Sequence, residues 1–154
     1  MAGYRIRLAK DKGELVKRLV ESDEDNAPFE TYADAVMFAA SLGYQRNQAV
    51  PLDDTIAKEP APIAWEIFRS RGYDRAIRLL AIAKTEDVNV LSLSSPEAIA
   101  KQVHILEEYA NGGLQILQDE LRGIVDITHH LPLMLLKQQH PQESPPEFDL
   151  RQFL

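Results

Sequence analysis

One stretch near the N-terminus alternates apolar and polar side chains, Tyr4-Arg-Ile-Arg-Leu-Ala9. A period of two puts Ile6 and Leu8 on one face and Arg5 and Arg7 on the other, the mark of a short, half-buried strand. No other segment repeats the pattern convincingly. A lone strand leaves a row of backbone donors and acceptors unpaired, so it needs a partner, and the remaining chain must fold by other means. Elsewhere the apolar residues recur at helical spacing. The expected fold class is mainly α: one compact helical domain over residues 1–140 with a single short N-terminal strand.

Helix signals follow in order. Asp11 is placed to cap a helix reaching about Glu21, with Leu15, Val16, Leu19 and Val20 as its apolar stripe. Residues 22–28 read as an acidic loop. Thr31-Tyr-Ala-Asp34 resembles a capping box with Phe29 beside it for a staple-like contact. Val36, Met37, Ala39 and Ala40 face inward, and Gly43 suits a left-handed C-terminal cap. Residues 44–62, with Pro51, Pro60 and Pro62, read as a long connection. A short helix over 64–71 stops at Gly72, and Asp74 caps the next, which buries Ile77, Leu80 and Ala81. Ser95-Pro96-Glu97 is a strong helix start. That helix buries Ile99, Val103 and Leu106 and is expected to end near Asn111-Gly112-Gly113. A further helical segment carries Leu114, Leu117, Leu121, Ile124 and Val125, and Pro132 kinks or ends it. From Pro141 the chain reads PQESPPEFDLRQFL, a Pro-rich extended tail over 141–154. Its apolar residues Phe148, Leu150, Phe153 and Leu154 are candidate protein-interaction residues.

The 154 residues include no cysteine. That removes disulfides, thiol catalysis and cysteine-ligated metals, and it fits a reducing compartment. The N-terminus lacks the apolar run of a signal peptide. The longest apolar patch, residues 131–136, falls far short of the roughly 20 residues that span a bilayer. A cytoplasmic protein with no membrane partner is expected.

The net charge of -7 argues against indiscriminate binding to nucleic acid. The charge is segregated, however. Residues 1–18 carry Arg5, Arg7, Lys10, Lys12, Lys17 and Arg18 against Asp11 and Glu14. An acidic run follows at Glu21, Asp23, Glu24 and Asp25. A second basic segment holds Arg69, Arg71, Arg75, Arg78 and Lys84, and residues 86–126 are acidic again.

Catalytic motifs are missing from the sequence. There is no phosphate loop and no G-x-S-x-G elbow. Asp126-x-x-His129 has the spacing of half a carboxylate-bridged metal site, but such sites use the motif twice; an exposed Asp–His pair is the expected outcome. Glu107 and Glu108 diverge by about 100° on a helix and read as solvated. Asn111-Gly112-Gly113 reads as a helix stop or a tight helix–helix approach. Trp65 and Phe68, three apart, form either a core anchor or, with Arg69 and Arg71, an interaction surface. No cofactor, metal or catalytic residue is expected.

A strand followed by two helices is the order of ribbon–helix–helix proteins, in which two copies pair their strands and outward side chains enter the DNA major groove. That order makes Arg5, Arg7, Lys10, Lys12, Lys17 and Arg18 the candidate DNA-binding set and a homodimer the candidate assembly. The alternative is an edge strand kept soluble by its charges.

The run RIRLAKDKGELVKRLVESDEDNAPFETYADAVMFAASLGY, residues 5–44, resembles the start of the dnd system-associated protein 4 family. EEYANGGLQILQDELRG, residues 107–123, resembles its C-terminal signature. The tail after Pro141 lies outside this resemblance. What it implies is an accessory role in bacterial DNA phosphorothioation, in which sulfur replaces a non-bridging phosphate oxygen and companion proteins restrict unmarked DNA. Two functions are expected from it: a non-enzymatic accessory protein that binds DNA through the basic N-terminus, or an adaptor that contacts other proteins of the system and not DNA.

Overall fold

The computed structural model describes residues 3–21 and 27–139. The chain divides into two units, residues 1–122 and 123–154. The expected tail, with Phe148, Leu150, Phe153 and Leu154, lies outside the described residues.

In the first unit the expected strand forms as β1 (Arg5–Ile6). Its partner is β2 (Ile63–Ala64), antiparallel, with Arg5 opposite Ala64 and Ile6 opposite Ile63. Single bonds extend the pairing. Trp65 N–H donates to Tyr4 O at 2.9 Å, Ala57 N–H to Leu8 O at 2.8 Å and Lys10 N–H to Thr55 O at 3.0 Å. Residues 55–57 of the expected long connection over 44–62 thus pair with the chain beyond β1, and β2 lies just past its end. Two-residue strands carry no period, so the sequence concealed β2. The ribbon that two copies would share in a ribbon–helix–helix dimer is closed here within one chain.

A turn of 3-10 helix, Lys10–Lys12, leads into α1 (Gly13–Val20). Asp11 sits inside that turn and does not cap the helix, because the bonds of Ala9 and Lys10 to the 55–56 segment hold the chain extended until there. α2 spans Tyr32–Gln45 and is capped as expected, Asp34 N–H donating to Thr31 Oγ1 at 3.2 Å. The Phe29 ring packs on Phe38 with centroids 5.2 Å apart. α3 (Trp65–Ser70) stops before Gly72, whose φ of 81° is the left-handed conformation glycine tolerates. α4 (Asp74–Thr85) starts at Asp74 itself, with Tyr73 in the capping position. Ser95 caps α5 as expected, accepting from Ala98 N–H at 3.4 Å.

α5 runs unbroken from Pro96 to Glu120. Asn111-Gly112-Gly113 lies inside it, so the expected stop is corrected to the other role open to it, a close approach. A Cβ on Gly113 would lie 1.7 Å from Ala39 O, and one on Gly112 would lie 1.8 Å from Gln48 O. Gly43, expected as the cap of α2, is likewise within that helix, where a Cβ would lie 2.2 Å from Tyr109 O. Three glycines thus let α2 and the chain after it lie against α5 with backbone nearly touching backbone. Asn111 secures the seam, donating through Nδ2 to Val50 O at 3.1 Å, while Val50 N–H donates to Glu108 O at 2.9 Å. Around this crossing lies the core: Val36, Ala39 and Ala40 of α2, and Leu106, Leu114 and Leu117 of α5, with Val16, Leu19, Phe68 and Ile77 from the neighbouring helices. Each large side chain so buried contributes about 1.5–3 kcal/mol.

In the second unit, α6 spans Ile127–Gln139 and carries Pro132 in its interior. The helical segment expected to continue through Val125 ends at Glu120, and the turn after it includes Gly123, whose φ is 77°. No helix among the described residues is long and apolar enough to cross a membrane.

Candidate interaction surfaces

The strand alternation directs Ile6 and Leu8 inward, at 0% and 2% exposure, and Arg5 and Arg7 outward. Yet Arg7 is not free. Its backbone N–H, Nε and Nη2 donate to the two carboxylate oxygens of Glu107 at 2.7, 3.0 and 3.1 Å. Glu107 is 3% exposed, so the expectation of a solvated acid on α5 is corrected: the strand covers that face of the helix, and Arg7 supplies the charge and donors that a buried carboxylate requires. The bonds and charge of Glu107 push the Arg7 guanidinium above its usual pKa.

The other N-terminal cations divide. Lys12 is buried, its ammonium 2.8 Å from Asp11. Lys17 reaches Glu59 at 2.8 Å, which raises its own pKa and lowers that of Glu59. Arg18 is engaged within the chain as well. Arg5 and Lys10 are exposed and have no ion-pair partner among the described residues. The basic N-terminus is therefore half architecture.

The second basic segment behaves similarly. Arg69 pairs with Glu66 at 3.2 Å and Arg78 with Asp74 at 3.4 Å. Arg71 grips Asp34 through Nε and Nη2 at 2.8 and 2.6 Å, and the Tyr73 hydroxyl donates to the same carboxylate. Burial disfavours the Asp34 anion, but the bonds from Tyr73, Arg71 and Thr31 outweigh it and hold its carboxyl below the usual range. The same Asp34 bond, with burial, raises the Tyr73 phenol. This trio ties the start of α2 to the α3–α4 turn. Lys84 sits over the Tyr109 ring, 5.9 Å from its centroid.

Two histidines pair with acids on their own helix or at its start. His104 Nε2 lies 2.9 Å from Glu108, and His129 Nδ1 lies 2.6 Å from Asp126. Both His129 and Asp126 are exposed, as expected for a helix-start pair. Among the described residues no group of three or more His, Asp or Glu side chains is placed to hold a metal.

Phe68 is core, at 0% exposure, whereas Trp65 lines a cavity of about 410 Å³. Tyr4, Ile99, Leu93 and Gln102 share its walls. Residues from the chain before β1, from β2, α3, α4 and α5, and from the loop before α5 converge there, and their separation in sequence left no signal by which Gln102 or Leu93 could have been singled out.

This is a small, mainly α protein whose arginines and lysines largely brace its own fold and whose cavity is chiefly apolar. The chain belongs to the family of DNA sulphur modification system-associated protein 4, whose model matches residues 5–153. The match covers the tail that the resemblance had left out. No curated protein and no solved structure matches the chain.

Proposed function

We propose that the protein is a non-enzymatic accessory component of a DNA sulphur modification system, acting as an adaptor between proteins and not as a DNA reader. The observation that carries this is the engagement of Arg7, Lys12 and Lys17 with Glu107, Asp11 and Glu59. Six free cations meeting phosphate would give a log–log salt slope near −5, whereas Arg5 and Lys10 alone give about −2. Two contacts on a chain of net charge -7 do not sustain specific binding at physiological salt.

The test is fluorescence anisotropy with matched duplexes, with and without phosphorothioate linkages, across a salt series, beside co-purification with the other proteins of the system. The expected result is weak, shallow-sloped DNA binding and retention of a protein partner. Tight binding with a slope near −5, abolished in the double variant Arg5→Ala/Lys10→Ala, would overturn the adaptor and restore the DNA-binding function. Those two positions are the right ones to change, since Arg7 holds the fold.

A further inference from the structure

Residues 19–45 carry Glu21, Asp23, Glu24, Asp25, Glu30 and Asp34 and not one lysine or arginine. Asp34 is paired with Arg71. Glu30 is exposed and has no ion-pair partner among the described residues. The Phe29 N–H donates to Leu19 O at 3.1 Å, which ties the chain entering α2 to the end of α1. Asp25 precedes Phe29 by four residues, so even a fully extended chain sets it no more than roughly 14 Å away. At about 10 mM salt the Debye length is about 30 Å, and the charge of the run acts at Phe29; near 0.15 M it is about 8 Å and the run is largely screened.

Beside this acidic stretch an open groove of about 550 Å³ follows α2. Asp34, Met37, Phe38 and Ser41 line it at the spacing of a single helix face. Pro28, Phe29 and Glu30 join them from the chain before the helix, and Ala76 from α4. Met37 is buried, Phe29 and Phe38 are half-buried with ring centroids 5.2 Å apart, and Ala76 is exposed. From Asp34 to Ser41 the stripe is about 10 Å long, roughly two helical turns. Arg71, the cation among the lining residues, is engaged by Asp34. The uncompensated charge at the groove is therefore negative, that of Glu30 and of the run before it. The complement is a segment with one or two large apolar side chains flanked by lysine or arginine, the pattern of a helix laid in a groove.

We propose that this groove docks a basic amphipathic segment of a protein partner, a proposal that rests on the adaptor function above and names the chemistry of its partner. Apolar side chains of the segment enter against Phe29, Phe38 and Ala76, and its cations lie against Glu30. Residues 141–154 of this chain are the wrong occupant, since Glu143, Glu147 and Asp149 outnumber Arg151. A second copy would bring a net charge of -7 to an acidic surface.

Met37 is one of three methionines, so its methyl resonance reports on the groove, with Met134 of α6 as the internal control. The full chain is titrated with a leucine–lysine amphipathic peptide, with its leucine–glutamate counterpart and with its serine–lysine counterpart, across a salt series. A saturable shift of the Met37 methyl is expected with the leucine–lysine peptide alone, its Kd weakening as salt rises. Ala76→Arg, at an exposed helical position that arginine tolerates, should weaken that peptide by about tenfold or more through bulk and like charge. Glu30→Lys, also exposed, should weaken it roughly threefold and flatten the salt dependence. Equal shifts with the leucine–glutamate peptide, equal binding of the serine–lysine peptide, an unchanged Kd in Ala76→Arg, or no shift of Met37 would each overturn the assignment. A Met37 shift produced by concentrating the protein alone would overturn it too, by giving the groove to a second copy. Co-purification of a system protein by Ala76→Arg as well as by the parent would sink the groove and leave the adaptor standing. The expected peptide selectivity without retention of any protein of the system would support the groove and count against the adaptor.

Discussion

Replacing Gly113 by alanine sets two physical effects against each other with opposite signs. Gly113 is deep in α5, where helix propensity alone favours alanine by about 1 kcal/mol. Packing opposes it. The new Cβ would lie 1.7 Å from Ala39 O, 2.5 Å from Ala39 C and 3.0 Å from Ala39 Cα, against ordinary contacts of 3.4 Å and above. The obstructing atoms are backbone of α2, so no rotamer change relieves them. α2 and α5 must separate by well over an ångström, loosening the contacts of Val36, Ala40, Leu114 and Leu117 along the seam. Overpacking typically costs 1–3 kcal/mol, and a rigid backbone obstruction belongs at or above the upper end, so the net loss is about 2 kcal/mol or more. In thermal unfolding that is a fall of at least roughly 4–8 °C. Ala100→Gly, at an exposed position of the same helix, is the companion: it should cost about 1 kcal/mol by propensity alone. Urea and thermal unfolding of both variants provide the check. A Gly113→Ala protein as stable as the parent, or more so, would refute the backbone-to-backbone crossing.

Arg7→Ala should cost about 3 kcal/mol, the lower end of the range for stranding a buried charge, because Arg7 is itself half in solvent. Arg5→Ala should be nearly neutral, and equal effects of the two in urea unfolding would show that the Glu107 clip is not structural. Asp34 gives a pH signature. Its folded pKa is depressed, so its stabilisation is present above the unfolded value of about 4 and is lost as pH falls through the folded value. The stability gap between the parent and Asp34→Asn should accordingly narrow in acid, and a gap unchanged between neutral and strongly acidic urea melts would count against the Arg71–Asp34–Tyr73 clamp. Glu59→Gln, which removes an exposed partner of Lys17, should leave the melting temperature where it was.

Local signals in the sequence were reliable wherever the cause was local. Thr31 and Ser95 cap α2 and α5 through their own hydroxyls, Gly72 stops α3, and the alternation around Ile6 sets which side chains of β1 are buried. Each of these depends on atoms a few residues apart. Composition and charge likewise removed thiol chemistry and weighed against indiscriminate nucleic-acid binding. The family, too, was legible in two stretches of sequence, because kinship is carried by residue order.

Tertiary structure decided what each glycine and each charge is for. Gly43, Gly112 and Gly113 have the same sequence appearance as caps and stops, and only the approach of α2 and of Gln48 to α5 makes them contact points. Arg7 looks like an outward arginine on a strand, and Glu107 like a solvated acid on a helix. They lie a hundred residues apart and become one buried-acid clip only when β1 folds over α5. The cavity by Trp65 is the same case, since Gln102 and Leu93 acquire meaning from chains that pass near them in space. A sequence records spacing along the backbone, whereas burial and pairing depend on distances that folding alone creates.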